Sequence, residues 1–322
     1  MKLVIFSICL NEEKTLGEVL DRMPKKIDGV DEIVKFVIDD GSSDKTVEVA
    51  KKHGAIVYSN GRQKKLAYSF QLACDKVLEM GADIAVNIDG DLQFIPEEIP
   101  SLVKPIVDGH ADFVAGNRFP DGQRPKNMPF SKYIGNKLGA YILSKLTKMK
   151  FFDVTAGFRA YNRETLLSMN INNKFTYTQE AFQLLASKNF NIVQVPITME
   201  YFPGRKSRVV TSISYYVFTS AFNIFRSFKD FAPIQFFGIL GIVPIILGTA
   251  CLIFIAIHWL NTGVFFPYKF VGLAGLYFFT FGFFMLIFGV LSDMLGKMLN
   301  NQEKLLYYSK KNYFNNREKK RK

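Results

Sequence analysis

The sequence predicts an α/β head built on a mostly parallel sheet, followed by a hairpin of two membrane-spanning helices. Three observations carry this. Short apolar runs alternate with longer helical patterns through the first half of the 322 residues, polar clusters close three of those runs, and residues 231–260 and 270–292 contain no formally charged side chain. Strands alternating with helices at this spacing fold as βαβ units. Each uncharged segment exceeds the ~20 residues a helix needs to cross a bilayer.

Taken in order, LVIFSI (3–8), EIVKFVI (32–38), AIVYS (55–59), DIAVNI (83–88) and DFVAG (112–116) read as strands. Helices are expected over about 13–24, 44–53, 64–80 and 96–108. The opening MKLVIFSICL stops at Asn11-Glu12-Glu13 with no small-residue cleavage site, so it is a first strand and not a signal peptide. Residues 120–135, rich in Pro, Gly and basic side chains, form a loop, and 133–148 an amphipathic helix. VTAGFRAYNRETL (154–166) enters a short helix, and NIVQVPITMEYF (191–202) supplies a late strand. Residues 211–230 carry aromatics at helical spacing with Arg226 and Lys229, which suits a helix lying in a membrane interface.

The expected divisions are therefore a catalytic domain (1–210), an interfacial helix (211–230), two spans (231–296) and a basic tail (297–322). The net charge is +12, and the tail holds nine Lys or Arg against two Glu, a composition suited to an anionic bilayer or a nucleic acid. No nucleic-acid recognition motif accompanies it. The short link between the spans holds one lysine and both flanks are basic, which predicts a cytoplasmic head and tail. Cys9, Cys74 and Cys251 are too far apart for a disulfide framework or a zinc site, and His53, His110 and His258 show no ligand spacing.

The chemistry should lie where polar clusters end strands, because open α/β sheets bind ligands beyond the carboxyl ends of their strands. Asp89-Gly90-Asp91 follows an apolar run, and two close carboxylates there need a cation between them. They can hold a divalent ion that binds a nucleotide diphosphate, with Gln93 adding a neutral oxygen. Asp39-Asp40-Gly41-Ser42 can accept hydrogen bonds from a base or ribose. Asn11, Glu12 and Glu13 line the same cleft, Glu13 also suiting a helix dipole, and Ser43 or Asp44 can cap the next helix.

VIFSICLNEE, VIDDGSSD, DGDLQ before a Pro-Glu-Glu helix start, AGNRF and GFR, in this order, resemble family 2 glycosyltransferases of the Rossmann-like GT-A fold. With two C-terminal spans the chain is similar to the polyprenyl-phosphate glycosyltransferases, such as dolichyl-phosphate mannose or glucose synthases. The likeness runs to about residue 295. It implies that Asp89, Asp91 and Gln93 bind Mg²⁺ or Mn²⁺ and the donor diphosphate beside Gly90, and that Asp39 and Asp40 face the base. Ile8, Leu10, Asn11 and Glu12 would wall the nucleoside, Lys64 and Lys65 would lie near the phosphates, and Glu180, after Tyr177, near the sugar. Ile8-Cys9-Leu10 replaces the family's usual P-x-Y, which leaves uridine and guanosine both open. Gly157 stands where some relatives carry an acidic residue proposed as a base.

A lipid monophosphate needs no base, because it is already an anion, but it needs cations to bring it beside a second anion. Arg118, Lys132, Arg205, Lys206 and Arg208, with Ser207, are the candidates, and Asp153 is expected to pair with Arg159. The resemblance implies inverting transfer of a sugar to a polyprenyl phosphate, with tetramers known among two-span relatives. Transfer to diacylglycerol and non-catalytic binding of nucleotide sugars are the alternatives. Processive polysaccharide synthesis is disfavoured, since the sole tryptophan, Trp259, lies in a span and no Q-x-x-R-W motif exists.

Overall fold

The computed structural model describes residues 1–171, 177–201, 229 and 233–319. The basic run Arg205–Arg208 lies outside them, as does the expected interfacial helix apart from Lys229. The chain divides into two units, Met1–Tyr216 with Leu305–Lys322, and Val217–Lys304.

The first unit holds seven strands: β1 (Lys2–Cys9), β2 (Glu32–Asp39), β3 (Ile56–Ser59), β4 (Ile84–Asn87), β5 (Phe113–Asn117), β6 (Arg159–Asn162) and β7 (Ile192–Pro196). They form one sheet in the order β3-β2-β1-β4-β6-β5-β7. All neighbours are parallel except β6, which runs against both β4 and β5. The GFR element therefore enters the sheet backwards, and Gly157 and Phe158 lie at the carboxyl ends of their neighbours. Chain order reverses between β1 and β4, and a crevice opens at such a switch point. Asn11-Glu12 and Asp89-Gly90-Asp91 follow those two strands.

Alternation along the strands fills both faces. From β1, Val4 and Phe6 join a core with Phe36, Phe70, Phe113 and Tyr161. Leu3 and Ile5 join the opposite core with Leu16, Val37, Val86 and Ile99. Helices α1 (Leu16–Arg22), α2 (Thr46–Lys52) and α4 (Ile99–Val107) cover the second face. The first is covered by α3 (Leu66–Glu79), α5 (Phe130–Thr147), α6 (Arg163–Ser168) and α7 (Thr178–Ser187), the last a helix the sequence reading does not name. Helix α5 is amphipathic in an unusual sense: Asn136, Ala140 and Leu143 are buried, yet its outward stripe is Phe130, Ile134, Leu138 and Tyr141.

The second unit contains two helices long and apolar enough to cross a membrane, α8 (Pro233–Thr262) and the first part of α9 (Lys269–Lys319). They touch through glycine. A Cβ on Gly248 would lie 2.7 Å from the carbonyl oxygen of Gly275, and one on Gly282 would lie 2.4 Å from that of Gly241. Close backbone approach of this kind is how helices pair where no hydrophobic drive exists.

The tail differs from expectation. Residues 305–319 are helical and belong to the head unit. Phe314 is buried in the core beneath α3 and α6, and three carboxylates take up the basic charge. Lys311 pairs with Glu164 at 2.8 Å, Arg317 with Glu79 at 3.1 Å and Lys310 with Asp75 at 3.3 Å. Exposed pairs contribute little, whereas burying a phenylalanine is worth about 2–3 kcal/mol. Ending the chain at residue 304 should therefore lower the head's stability by about that amount, measurable as an earlier denaturant midpoint.

Candidate active site

Asp39 closes β2, opposite Cys9 of β1. Its carboxylate accepts from the Ser42 amide at 2.9 Å and from Ser59 Oγ at 2.6 Å, which fixes it at the rim. Asp40 has a different part. It accepts from the amides of Lys64 (3.0 Å) and Lys65 (3.1 Å), from Asn60 Nδ2 (2.9 Å) and from Ser69 Oγ (2.7 Å). Four donors saturate one carboxylate, so Asp40 anchors the loop before α3. The Lys64 ammonium sits 5.7 Å from the centre of the Tyr68 ring. Gly41 has φ +87°, and a Cβ there would lie 2.5 Å from the Arg62 backbone, so the loop passes directly over it.

At the end of β1, Asn11 adopts φ 55° and its side-chain oxygen accepts from the Ser43 amide at 2.8 Å. The Glu12 amide donates to Thr46 Oγ1 at 2.8 Å, and Thr15 Oγ1 donates to Glu12 Oε2 at 3.3 Å. Glu13 accepts from the Lys45 amide at 3.0 Å, and Asp44 from the Thr46 amide at 3.0 Å; both tie this turn to α2. Ile8 and Leu10 flank the buried Cys9.

The acidic pair follows β4. Thr15 Oγ1 holds the Gly90 carbonyl at 2.8 Å, and a Cβ on Gly90 would strike Cys9 Sγ at 2.7 Å. Asp91 accepts from the Gln93 amide at 3.1 Å. Burial, Asp91 and Glu12 push the Asp89 carboxyl up to about 7, while Arg118 and Lys132 pull the other way. Asp89 thus feels two acids and two cations at once. A Cβ on Gly157 would lie 3.1 Å from Asp89 Oδ2, so an acidic side chain at 157 would press on Asp89 itself. Gly157→Ala should displace that carboxylate and lower kcat about tenfold, with the nucleotide affinity the smaller change.

Among the described residues no three His, Cys, Asp or Glu side chains gather as a metal cage. Two carboxylates are nonetheless the donor set expected for an ion that takes its remaining ligands from substrate phosphates and water.

Arg118, just beyond β5, is buried with Asp153. Its Nε and Nη2 reach the two carboxylate oxygens at 2.6 and 2.8 Å. Burial opposes the Asp153 charge, but the guanidinium outweighs it and holds the carboxyl below its ordinary value. This corrects the expected Asp153–Arg159 pair. Arg159 instead donates to the carbonyls of Ala156 (2.7 Å), Thr178 (2.8 Å) and Val154 (3.1 Å) and lies over Phe113, Tyr177 and Phe182. Tyr177 is also a core residue: it stacks on Phe70 at 3.8 Å and accepts from Asn87 Nδ2 at 2.6 Å. Glu180 occupies the first turn of α7 and is half-buried. Lys132, on α5, has its ammonium 5.4 Å from the centre of the Tyr201 ring. The sequence reading misses Tyr201, Thr155 and Met199, all three on Arg118; only the neighbouring basic run could have drawn attention to Tyr201.

Residues 4–167 match the model of glycosyl transferase family 2. The chain belongs to this family. Among its relatives, UDP-N-acetylglucosamine–dolichyl-phosphate N-acetylglucosaminyltransferase of Methanococcus voltae is 29% identical over 59% of this chain and 82% of the relative. A dolichyl-phosphate hexose transferase of Haloferax volcanii is 33% identical over 58% and 78%. Glycosyltransferase AglJ of the same organism is 26% identical over 91% and 93%. The fold is that of glucosyl-3-phosphoglycerate synthase from Mycobacterium tuberculosis, solved with Mn²⁺, UDP and phosphoglyceric acid: TM-score 0.54, 21% identity, 69% of this chain and 78% of that one. This member of family 2 is thus a glycosyltransferase related to dolichyl-phosphate sugar transferases, with a GT-A-like sheet and an apolar helix hairpin.

Proposed function

We propose that the enzyme transfers a sugar, with inversion, from a UDP- or GDP-sugar to a polyprenyl phosphate at the cytoplasmic membrane face. The observation that carries the reading is the setting of Asp89, a buried carboxylate two residues from Asp91 on which the charges of Arg118 and Lys132 also act. Such a site accommodates two anions, one through a counter-ion and one directly. Asp89 and Asp91, with Gln93, would hold Mg²⁺ or Mn²⁺, which when bound supplies positive charge to the departing diphosphate. Asp39, Asn11 and Glu12 line the nucleoside side, and the loop anchored by Asp40 carries Lys64 beside it. Glu180 is assigned to the sugar. Arg118 and Lys132 supply positive charge that draws in the acceptor, and the run Arg205–Arg208, which lies outside the described residues, is assigned the same task from its charge in the sequence.

The reaction itself asks little of the protein beyond position. An oxygen of the lipid phosphate attacks the anomeric carbon, the bond from that carbon to the diphosphate breaks, and the nucleoside diphosphate leaves with the electron pair. No proton moves, which agrees with glycine at 157. A lipid acceptor is further supported by the apolar outward stripe of α5. It lies in a segment, 122–152, with seven Lys or Arg and no carboxylate, a composition suited to an anionic lipid surface.

The test incubates the full chain in proteoliposomes with labelled UDP- and GDP-sugars, undecaprenyl phosphate and Mn²⁺. A labelled lipid phosphate sugar is the expected product. Transfer to diacylglycerol, or binding of the nucleotide sugar without transfer, would overturn the reading.

A further inference from the structure

Arg118 looks from sequence like the residue that grips the acceptor phosphate, but its hydrogen-bond capacity is already committed. A guanidinium has five N–H donors. Nε–H goes to Asp153 Oδ2 at 2.6 Å, the two on Nη2 to Asp153 Oδ1 at 2.8 Å and Thr155 Oγ1 at 2.6 Å. The two on Nη1 reach Tyr201 Oη at 3.1 Å and, more weakly, Met199 Sδ at 3.5 Å. A phenol that accepts from an arginine still has its own proton to give, and no acceptor for that proton occurs among the described residues. Tyr201 is also in the right place. The Glu200 amide donates to the Gln93 carbonyl at 2.8 Å and Phe94 bridges Met199, so this segment is stitched to the loop that bears Asp91. Lys132 stands over the Tyr201 ring and makes no ion pair among the described residues.

We infer that Tyr201 Oη–H and the Lys132 ammonium are the direct donors to the acceptor phosphate, and that Arg118 is a positioning residue that turns the phenol toward it. The inference rests on the proposed lipid-phosphate acceptor and adds to it the specific groups in contact. Tyr201 would bind a non-attacking phosphate oxygen, so its proton stays on the phenol while the sugar is transferred.

The experiment uses the full chain in proteoliposomes with undecaprenyl phosphate as the varied substrate. Tyr201→Phe should raise its KM about tenfold, the loss of one hydrogen bond to an anion, and leave the KM of the nucleotide sugar within twofold. Lys132→Gln should produce the same split. Fluorotyrosine placed at 201 separates direct contact from support of Arg118. A fluorinated phenol donates more strongly and accepts more weakly, so the acceptor KM should fall while the phenol is protonated and climb once the pH passes its lowered pKa. Should Tyr201→Phe fold poorly, the fluorotyrosine enzyme, which keeps the phenol, decides the matter. An unchanged acceptor KM in Tyr201→Phe, or a fluorotyrosine enzyme weaker at every pH, overturns the inference while product formation by the parent enzyme upholds the reaction. Failure of the parent enzyme to make the lipid product overturns the reaction itself.

Discussion

Replacing Asp91 with asparagine is expected to reduce kcat/KM for transfer by about 10³-fold, roughly 4 kcal/mol, while making the metal-free protein more stable, not less. The first effect follows from the proposed role of the pair, which would hold the cation that meets the charge of the departing diphosphate. The second follows from the state of the pair alone. Burial and two neighbouring acids raise the Asp89 carboxyl to about 7 in the folded protein, from an ordinary value of 3.8. A carboxyl raised on folding binds its proton more tightly in the folded state. Its favourable contribution is complete below about pH 4 and is lost as the pH climbs through 7. Asp91→Asn removes one of the charges responsible. At pH 8 in EDTA the variant should melt above the parent enzyme, and the difference should vanish near pH 4. Added Mn²⁺ should then raise the melting temperature of the parent but not of the variant. A variant that melts below the parent at pH 8 would show that the two carboxylates do not strain each other.

The second large effect is structural. Asp153→Ala leaves Arg118 buried without its carboxylate, and breaking a buried pair from one side costs about 3–5 kcal/mol. Activity should fall with it, since Arg118, no longer held by its carboxylate, cannot keep Tyr201 in the orientation inferred above. The double change Arg118→Met with Asp153→Leu tests the cause. Removing both charges together should recover most of the stability, because neither is left stranded, but not the activity. Recovery of both would mean that the arginine has no part in the reaction. The Asp153 carboxyl lies below its ordinary value, so the pair's contribution is present above about pH 4 and lost as the pH falls further.

Much of this site is legible in the chain because its residues announce themselves locally. Asp89 and Asp91 end an apolar run, and Asp39 ends another, so the period of the strands alone places them at one edge of the sheet. What the chain hides is whatever depends on strand order. Arg118 and Asp153 are 35 residues apart, and they meet at the carboxyl end of β5, where the chain leads into the reversed strand β6. Nothing in either segment distinguishes Arg159, six residues further on, from Arg118 as a partner. Asp40 is hidden in another way. It has the composition of a ligand contact, but its four donors come from a loop and a helix twenty to twenty-nine residues downstream, which no local pattern foresees. The tail is readable as positive charge, but not as a docked helix, because its partners, Asp75, Glu79 and Glu164, carry no pattern that names them.

The buried position of Phe314 also sets an order of events. A chain is made from its N-terminus, and domains generally fold in that order. Here the head is synthesised first, yet one of its core side chains emerges only after both apolar helices have been made. The catalytic head therefore cannot finish folding before the two long apolar helices have left the ribosome.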